Sequence, residues 1–174
     1  MKKTRKIAVS AVLCAMSVII LYFGAVIDVM FLSMAAICSV VVVYAVIEIG
    51  GSYPWLIYVI TSVLSMMLLP NKMPALAYLV FAGVYPIIKS YAERLPLVAS
   101  WAVKLVAFNA ALTLLIFVSK SIMGLEDLTF GFSPVVYVIG NVTFILFDYV
   151  LTKMITLYLR KLRPRFKNSS KFNY

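Results

Sequence analysis

The chain has no histidine, two cysteines and only six acidic residues among its 174. Without histidine it lacks the commonest acid–base side chain and the commonest metal ligand. A Ser-His-Asp triad and an HExxH zinc site are therefore excluded, and neither a P-loop nor a glycine-rich dinucleotide fingerprint occurs. Isolated serines such as Ser62 and Ser65 lack an evident base. An intramembrane aspartyl mechanism would need a second carboxylate facing Asp148, and only the remote Glu48 is on offer. No enzyme activity, no cofactor and no metal are expected. Cys14 and Cys38 both fall in apolar runs, with no CxxC spacing and no third partner for zinc, so they read as small packing residues.

Charge is scarce as well. Charged residues make up 13% of the chain against 64% hydrophobic, and mean hydropathy is +1.06. Soluble domains are about a quarter charged and half apolar. Water would drive so apolar a chain to aggregate, whereas a bilayer accepts it. The net charge of +10 is held at the two ends. Lys2, Lys3, Arg5 and Lys6 open the chain, and Arg160, Lys161, Arg163, Arg165, Lys167 and Lys171 close it. Basic ends around an apolar body fit the positive-inside rule and anionic lipid. The dispersed basic stripe that nucleic acid requires is missing.

A spanning helix needs about 20 mainly apolar residues. Six such segments are expected: 7–27, 29–49, 53–69, 73–90, 97–118 and 134–159. Asp28, Gly50-Gly51, Pro70-Asn71-Lys72, Glu93-Arg94 and the polar stretch 119–133 separate them, and Pro134 suits the first turn of the last. The first segment is too long for a signal-peptide core and reads as a retained helix. The expected architecture is an all-α transmembrane domain over residues 1–162 followed by a basic tail, 163–174. With the N-terminus inside, the inner side also collects Lys89 and Arg94, and the outer side keeps only Lys72 and Lys120 beside Asp28, Glu126 and Asp127. An even helix count places both ends in the cytoplasm, so helix number and charge bias agree. The expected location is the cytoplasmic membrane of a bacterium.

Polar groups inside a bilayer carry the information about function. Lys104 and Asp148 would sit at similar depths on adjacent antiparallel helices, which predicts an ion pair. That pair is either a packing device or a proton-coupled site. Lys89 and Lys153 lie near enough to the interface to snorkel, and Glu48 reads as interfacial. Tyr91, Trp101 and Tyr158 suit an inner aromatic belt, and Tyr22 and Tyr137 an outer one. Asn71, Lys72, Tyr78, Asn109, Tyr137, Asn141 and Thr143 gather toward the outer half. Buried amides need partners. Those partners are either neighbouring helices or a small molecule entering from outside. Pro86 cannot donate to the carbonyl of Ala82, so a kink or local opening is expected in the fourth helix, with Gly83 one turn earlier. Ala8, Ala11 and Ala15 share one face of the first helix and permit close helix approach. Ala35 with Ser39, and Ala107 with Ala111, repeat the pattern.

The opening stretch from Lys3 to Ala15, KTRKIAVSAVLCA, resembles the start of the substrate-binding S components of energy-coupling factor transporters. The resemblance implies a six-helix bundle with cytoplasmic termini. It further implies that the face with Ala11 and Ala15 docks on a membrane coupling subunit that works with two ATPases. It implies uptake of a vitamin-like small molecule, bound near the outer face by helices four to six and released inside when the bundle topples. The candidate contacts read from the sequence, Asn71, Lys72, Tyr78, Asn109, Tyr137 and Asn141, fall where that site should be, and the resemblance itself assigns no specific contact. Two other readings stay open. One is a structural scaffold of envelope synthesis, of the size of the rod-shape protein MreD. The other is a proton-coupled carrier built on Lys104 and Asp148.

Overall fold

The computed structural model describes residues 3–123 and 134–162, which form an all-α bundle. Six helices follow one another: α1 Lys3–Val26, α2 Phe31–Glu48, α3 Tyr53–Leu68, α4 Met73–Ala92, α5 Leu97–Met123 and α6 Pro134–Leu157, the last running on through a π turn to Leu162. Five are long and apolar enough to cross a membrane, and α3, at 16 residues, is shorter. At 1.5 Å per residue α3 is roughly 24 Å long, against about 30 Å of hydrocarbon. The expected helix boundaries agree to within a few residues, except that α5 continues through Met123, into the stretch expected to be loop. The rest of that stretch and the basic tail lie outside the described residues.

The break at Asp28 separates two antiparallel helices. A 3-10 turn, Asp28–Met30, reverses the chain. Three cross-contacts then run along α1 and α2 in opposite order: Gly24 against Met34, the Cys38 thiol donating to Ser17 O at 3.3 Å, and Lys6 Nζ donating to Ile49 O at 2.9 Å. A Cβ on Gly24 would lie 2.9 Å from Met34 Cβ, so the crossing is closer than alanine permits. Gly50 and Gly51 make the next turn at φ +61° and +64°, a conformation L side chains rarely adopt. Lys72 ends α3 by donating to Met66 O at 2.8 Å and Leu69 O at 2.6 Å, a cation on the orphan carbonyls of a helix C-terminus.

α4 is a composite. A straight run, Met73–Ala77, meets a π turn, Tyr78–Ala82, and the helix resumes at Tyr85 with Pro86 in its first turn. Gly83 N donates to Tyr78 O at 2.8 Å, five residues back. The Ala82 carbonyl that Pro86 cannot reach accepts from Ser39 Oγ of α2 at 2.7 Å, and Leu79 O accepts from Tyr58 OH of α3 at 2.8 Å. The opening expected from Pro86 is thus present, and neighbouring helices fill its hydrogen bonds. A Cβ on Gly83 would come within 2.6 Å of Tyr58 Cδ2 and 2.8 Å of Tyr78 Cζ, so two rings occupy the space glycine leaves.

α1 to α4 form the core. Leu21, Cys38, Val42, Leu69, Ala75 and Tyr78 are at most 1% exposed in one cluster, and Leu13, Cys14, Ala45 and Ile57 build a second where α1, α2 and α3 meet. Both cysteines are buried and free, as packing residues should be. α5 and α6 stand beside this core as a hairpin whose sides are widely exposed. An aromatic cluster holds it: Phe108 stacks on Phe144 at 4.6 Å between centroids, and Phe81 of α4 packs edge-on against both. Lys6 bonds to the end of α2, and Tyr158 OH donates to Glu48 Oε1 at 3.2 Å. The first and last helical turns therefore lie at the same end of the bundle, the basic end.

Candidate functional site

Two regions concentrate polar groups or open space, one at each end of the α5–α6 hairpin. At the basic end, Tyr85 and Lys89 lie one turn apart on α4, with Glu93 a turn beyond. Lys104 comes from α5, and Asp148 and Thr152 from adjacent turns of α6. The expected Lys104–Asp148 pair forms, with Nζ 3.2 Å from Oδ2. Asp148 Oδ1 accepts from both Tyr85 OH and Lys89 Nζ. Lys89 also donates to Thr152 Oγ1 at 2.8 Å and pairs with Glu93 Oε1 at 2.9 Å, and Lys104 lies 3.8 Å from the same Glu93 oxygen. Lys89, Lys104 and Asp148 are 1%, 5% and 3% exposed. Two lysines thus balance two carboxylates. Such neutrality is what lets the cluster persist where each isolated charge would be costly.

Lys89 corrects the sequence-based expectation. It does not snorkel to the interface but turns inward and saturates its three donors on Asp148, Thr152 and Glu93. The signal was present: Tyr85, Lys89 and Glu93 recur at a four-residue spacing and so share a helix face. Lys153 keeps to the surface, with Nζ 5.3 Å from the Tyr149 ring. A crevice of about 480 Å³ opens beside the cluster, lined by Glu93, Ser100, Trp101, Lys104, Asp148 and Tyr149 among others.

Toward the far end a second cleft, about 460 Å³, separates α2 and α4 from the hairpin. Its walls are Phe81, Phe108, Leu112, Phe144 and Phe147 with small residues from α2 and α4, and among the described residues Thr143 brings the one side-chain hydroxyl. That hydroxyl is bonded to Ile139 O at 2.9 Å in its own helix. The cleft therefore offers shape and apolar, aromatic surface and almost no hydrogen bonding.

None of the six expected substrate contacts lines this cleft. Asn71 Oδ1 accepts from Met73 N at 2.9 Å and opens α4, while Lys72 closes α3. Tyr78 is fully buried in the α1–α4 core, and its hydroxyl has no hydrogen-bond partner among the described residues. Asn109 and Asn141 bond each other reciprocally, at 3.0 and 3.1 Å, and each also reaches a carbonyl of its own helix, Leu105 O and Tyr137 O. Tyr137 OH meets Thr113 Oγ1 at 3.0 Å one turn further on. These four residues form a polar seam that joins α5 to α6. Ala8, Ala11 and Ala15 are all exposed and form an unobstructed face of α1.

No protein family matches the chain, and neither a curated protein nor a solved structure does.

Proposed function

We propose that the chain is the membrane-embedded binding subunit of an uptake system for an apolar, ring-bearing small molecule, energised by a partner ATPase module. The observation that carries this reading is the 460 Å³ cleft between α2, α4 and the hairpin. Its volume lies within the range of small-molecule sites, and its four phenylalanines suit a flat hydrophobic ligand. The set of amides and Lys72 is accordingly replaced as the candidate site by Phe81, Phe108, Phe144 and Phe147. On this reading the basic end faces the cytoplasm of a bacterial cell, the cleft lies in the outer half of the membrane, and the chain hydrolyses nothing itself.

The exposed Ala8–Ala11–Ala15 face supports a docking role, because bulky side chains there would obstruct a partner without disturbing the bundle's own packing. The test is a pull-down of tagged protein in mild detergent, with partners identified by mass spectrometry. A membrane coupling subunit recovered with two ATPases, and lost in Ala11→Trp and Ala15→Trp, is the expected result. Recovery unchanged in both variants sinks the docking face, and envelope-synthesis partners without any ATPase sink the transporter reading. The scaffold alternative has its own support in the Asn109–Asn141 pair, whose amides are spent on each other rather than left for a ligand.

A further inference from the structure

We propose that the crevice at the basic end binds the headgroup of a membrane phospholipid bearing both a phosphate and a primary amine. The inference rests on hydrogen-bonding capacity that the charge cluster leaves unspent, and it does not depend on the transport reading.

Three groups facing the crevice have capacity in hand. Lys104 has three N–H donors. It meets Asp148 Oδ2 at 3.2 Å, while its second carboxylate contact, Glu93 Oε1, is a long 3.8 Å. Ser100 is 6% exposed and lines the crevice, and its hydroxyl has no hydrogen-bond partner among the described residues. Glu93 receives both lysines on Oε1, which leaves Oε2 on a carboxylate 44% exposed. Buried polar groups such as Ser100 and Lys104 seldom remain unpaired, while Oε2 of the exposed Glu93 is accessible to a ligand. The crevice thus presents donors at Lys104 and Ser100 and an acceptor at Glu93.

The charge balance selects the ligand. Lys89, Lys104, Glu93 and Asp148 already sum to zero. A ligand with net charge of either sign would unbalance a cluster held in low dielectric, whereas one that carries both signs leaves the sum unchanged. An oxyanion on Lys104 and Ser100 with an ammonium on Glu93 Oε2 satisfies all three groups.

The source follows from what frames the opening. Leu97 is 76% exposed, Tyr149 59% and Ile145 45%, and these residues with Trp101 form the rim on the outer wall of the bundle. In a bilayer that wall faces lipid, and tryptophan and tyrosine rings lie at headgroup level. A phospholipid reaches the crevice from the side with its acyl chains against this apolar rim, which a water-borne zwitterion cannot exploit.

The experiment reconstitutes the full chain into nanodiscs containing equal parts of phosphatidylethanolamine, phosphatidylglycerol and phosphatidylcholine, and counts retained lipids by native mass spectrometry. One phosphatidylethanolamine should be retained in preference to the other two by about tenfold, the worth of a charge-assisted hydrogen bond. Ser100→Ala and Glu93→Gln should each remove most of that preference and leave helical content unchanged. Equal retention of all three lipids overturns the proposal, as does a preference for phosphatidylglycerol or one untouched in both variants. Equal binding of phosphatidylcholine overturns the role of the primary amine, and displacement by tail-less glycerophosphoethanolamine at comparable concentration overturns the lipid source.

Discussion

Removing the Asp148 carboxylate should destabilise the hairpin more than any other single change at the basic end. Asp148 is 3% exposed and receives Tyr85 and Lys89 on one oxygen and Lys104 on the other. Asp148→Asn keeps the shape and removes the charge, which leaves two buried lysines facing Glu93 alone. Breaking a buried pair in this way costs about 3–5 kcal/mol. The two lysines should not share that loss equally. At 3.2 Å and an effective dielectric of about 20, the direct Lys104–Asp148 attraction is about 5 kcal/mol before desolvation is subtracted. Lys104 also borders the crevice and can recover solvation there, whereas Lys89 is 1% exposed and has no such outlet. Double-mutant cycles with Lys89→Met and Lys104→Met should therefore give coupling to Asp148 of about 2–3 kcal/mol for Lys89 and about 1 kcal/mol for Lys104. Equilibrium unfolding in bicelles, read by steric trapping on α4 and α6, measures both. A Lys104 coupling equal to or larger than that of Lys89, or no coupling at either, would refute the assignment of Lys89 as the main counter-ion.

Three further substitutions probe two other contacts. Gly83→Ala forces a methyl into the space of the Tyr58 and Tyr78 rings, and overpacking of this kind should cost about 1–3 kcal/mol in the same assay; an unchanged unfolding midpoint would mean the rings are free to give way. Asn109→Ala and Asn141→Ala should be coupled by about 0.6 kcal/mol and at most about 1.7 kcal/mol, as for interhelical hydrogen bonds in membranes; no coupling in a double-mutant cycle would remove the pair as a stabilising contact.

Much of this structure was legible in the sequence because membrane insertion is governed by length and hydropathy. Asp28, the Gly50-Gly51 pair and Pro70 mark real turns, and Pro86 marks a real break. Lys104 and Asp148 were paired from depth alone, since two antiparallel helices leave few choices. What escaped depends on which way a side chain turns. Lys89 has a stem long enough to reach either the interface or the interior, and only the position of Asp148 on α6 decides between them. Tyr78 carries a polar handle, yet Gly83 and Tyr58 wall it into the core. The cleft was invisible for another reason. It is a gap between helices that are apolar on every side, and no periodicity separates a face that meets protein from one that meets lipid.

The Lys89–Asp148 contact also bears on how the protein is made. Its partners stand 59 residues apart. At about 5–20 residues per second, Lys89 leaves the ribosome roughly 3–12 s before the aspartate that neutralises it. During that interval α4 holds a lysine in its apolar length with Glu93, four residues on, as the nearest countercharge. Until α6 is made, the pair with Glu93 one turn on is the contact available to Lys89 from its own stretch of chain.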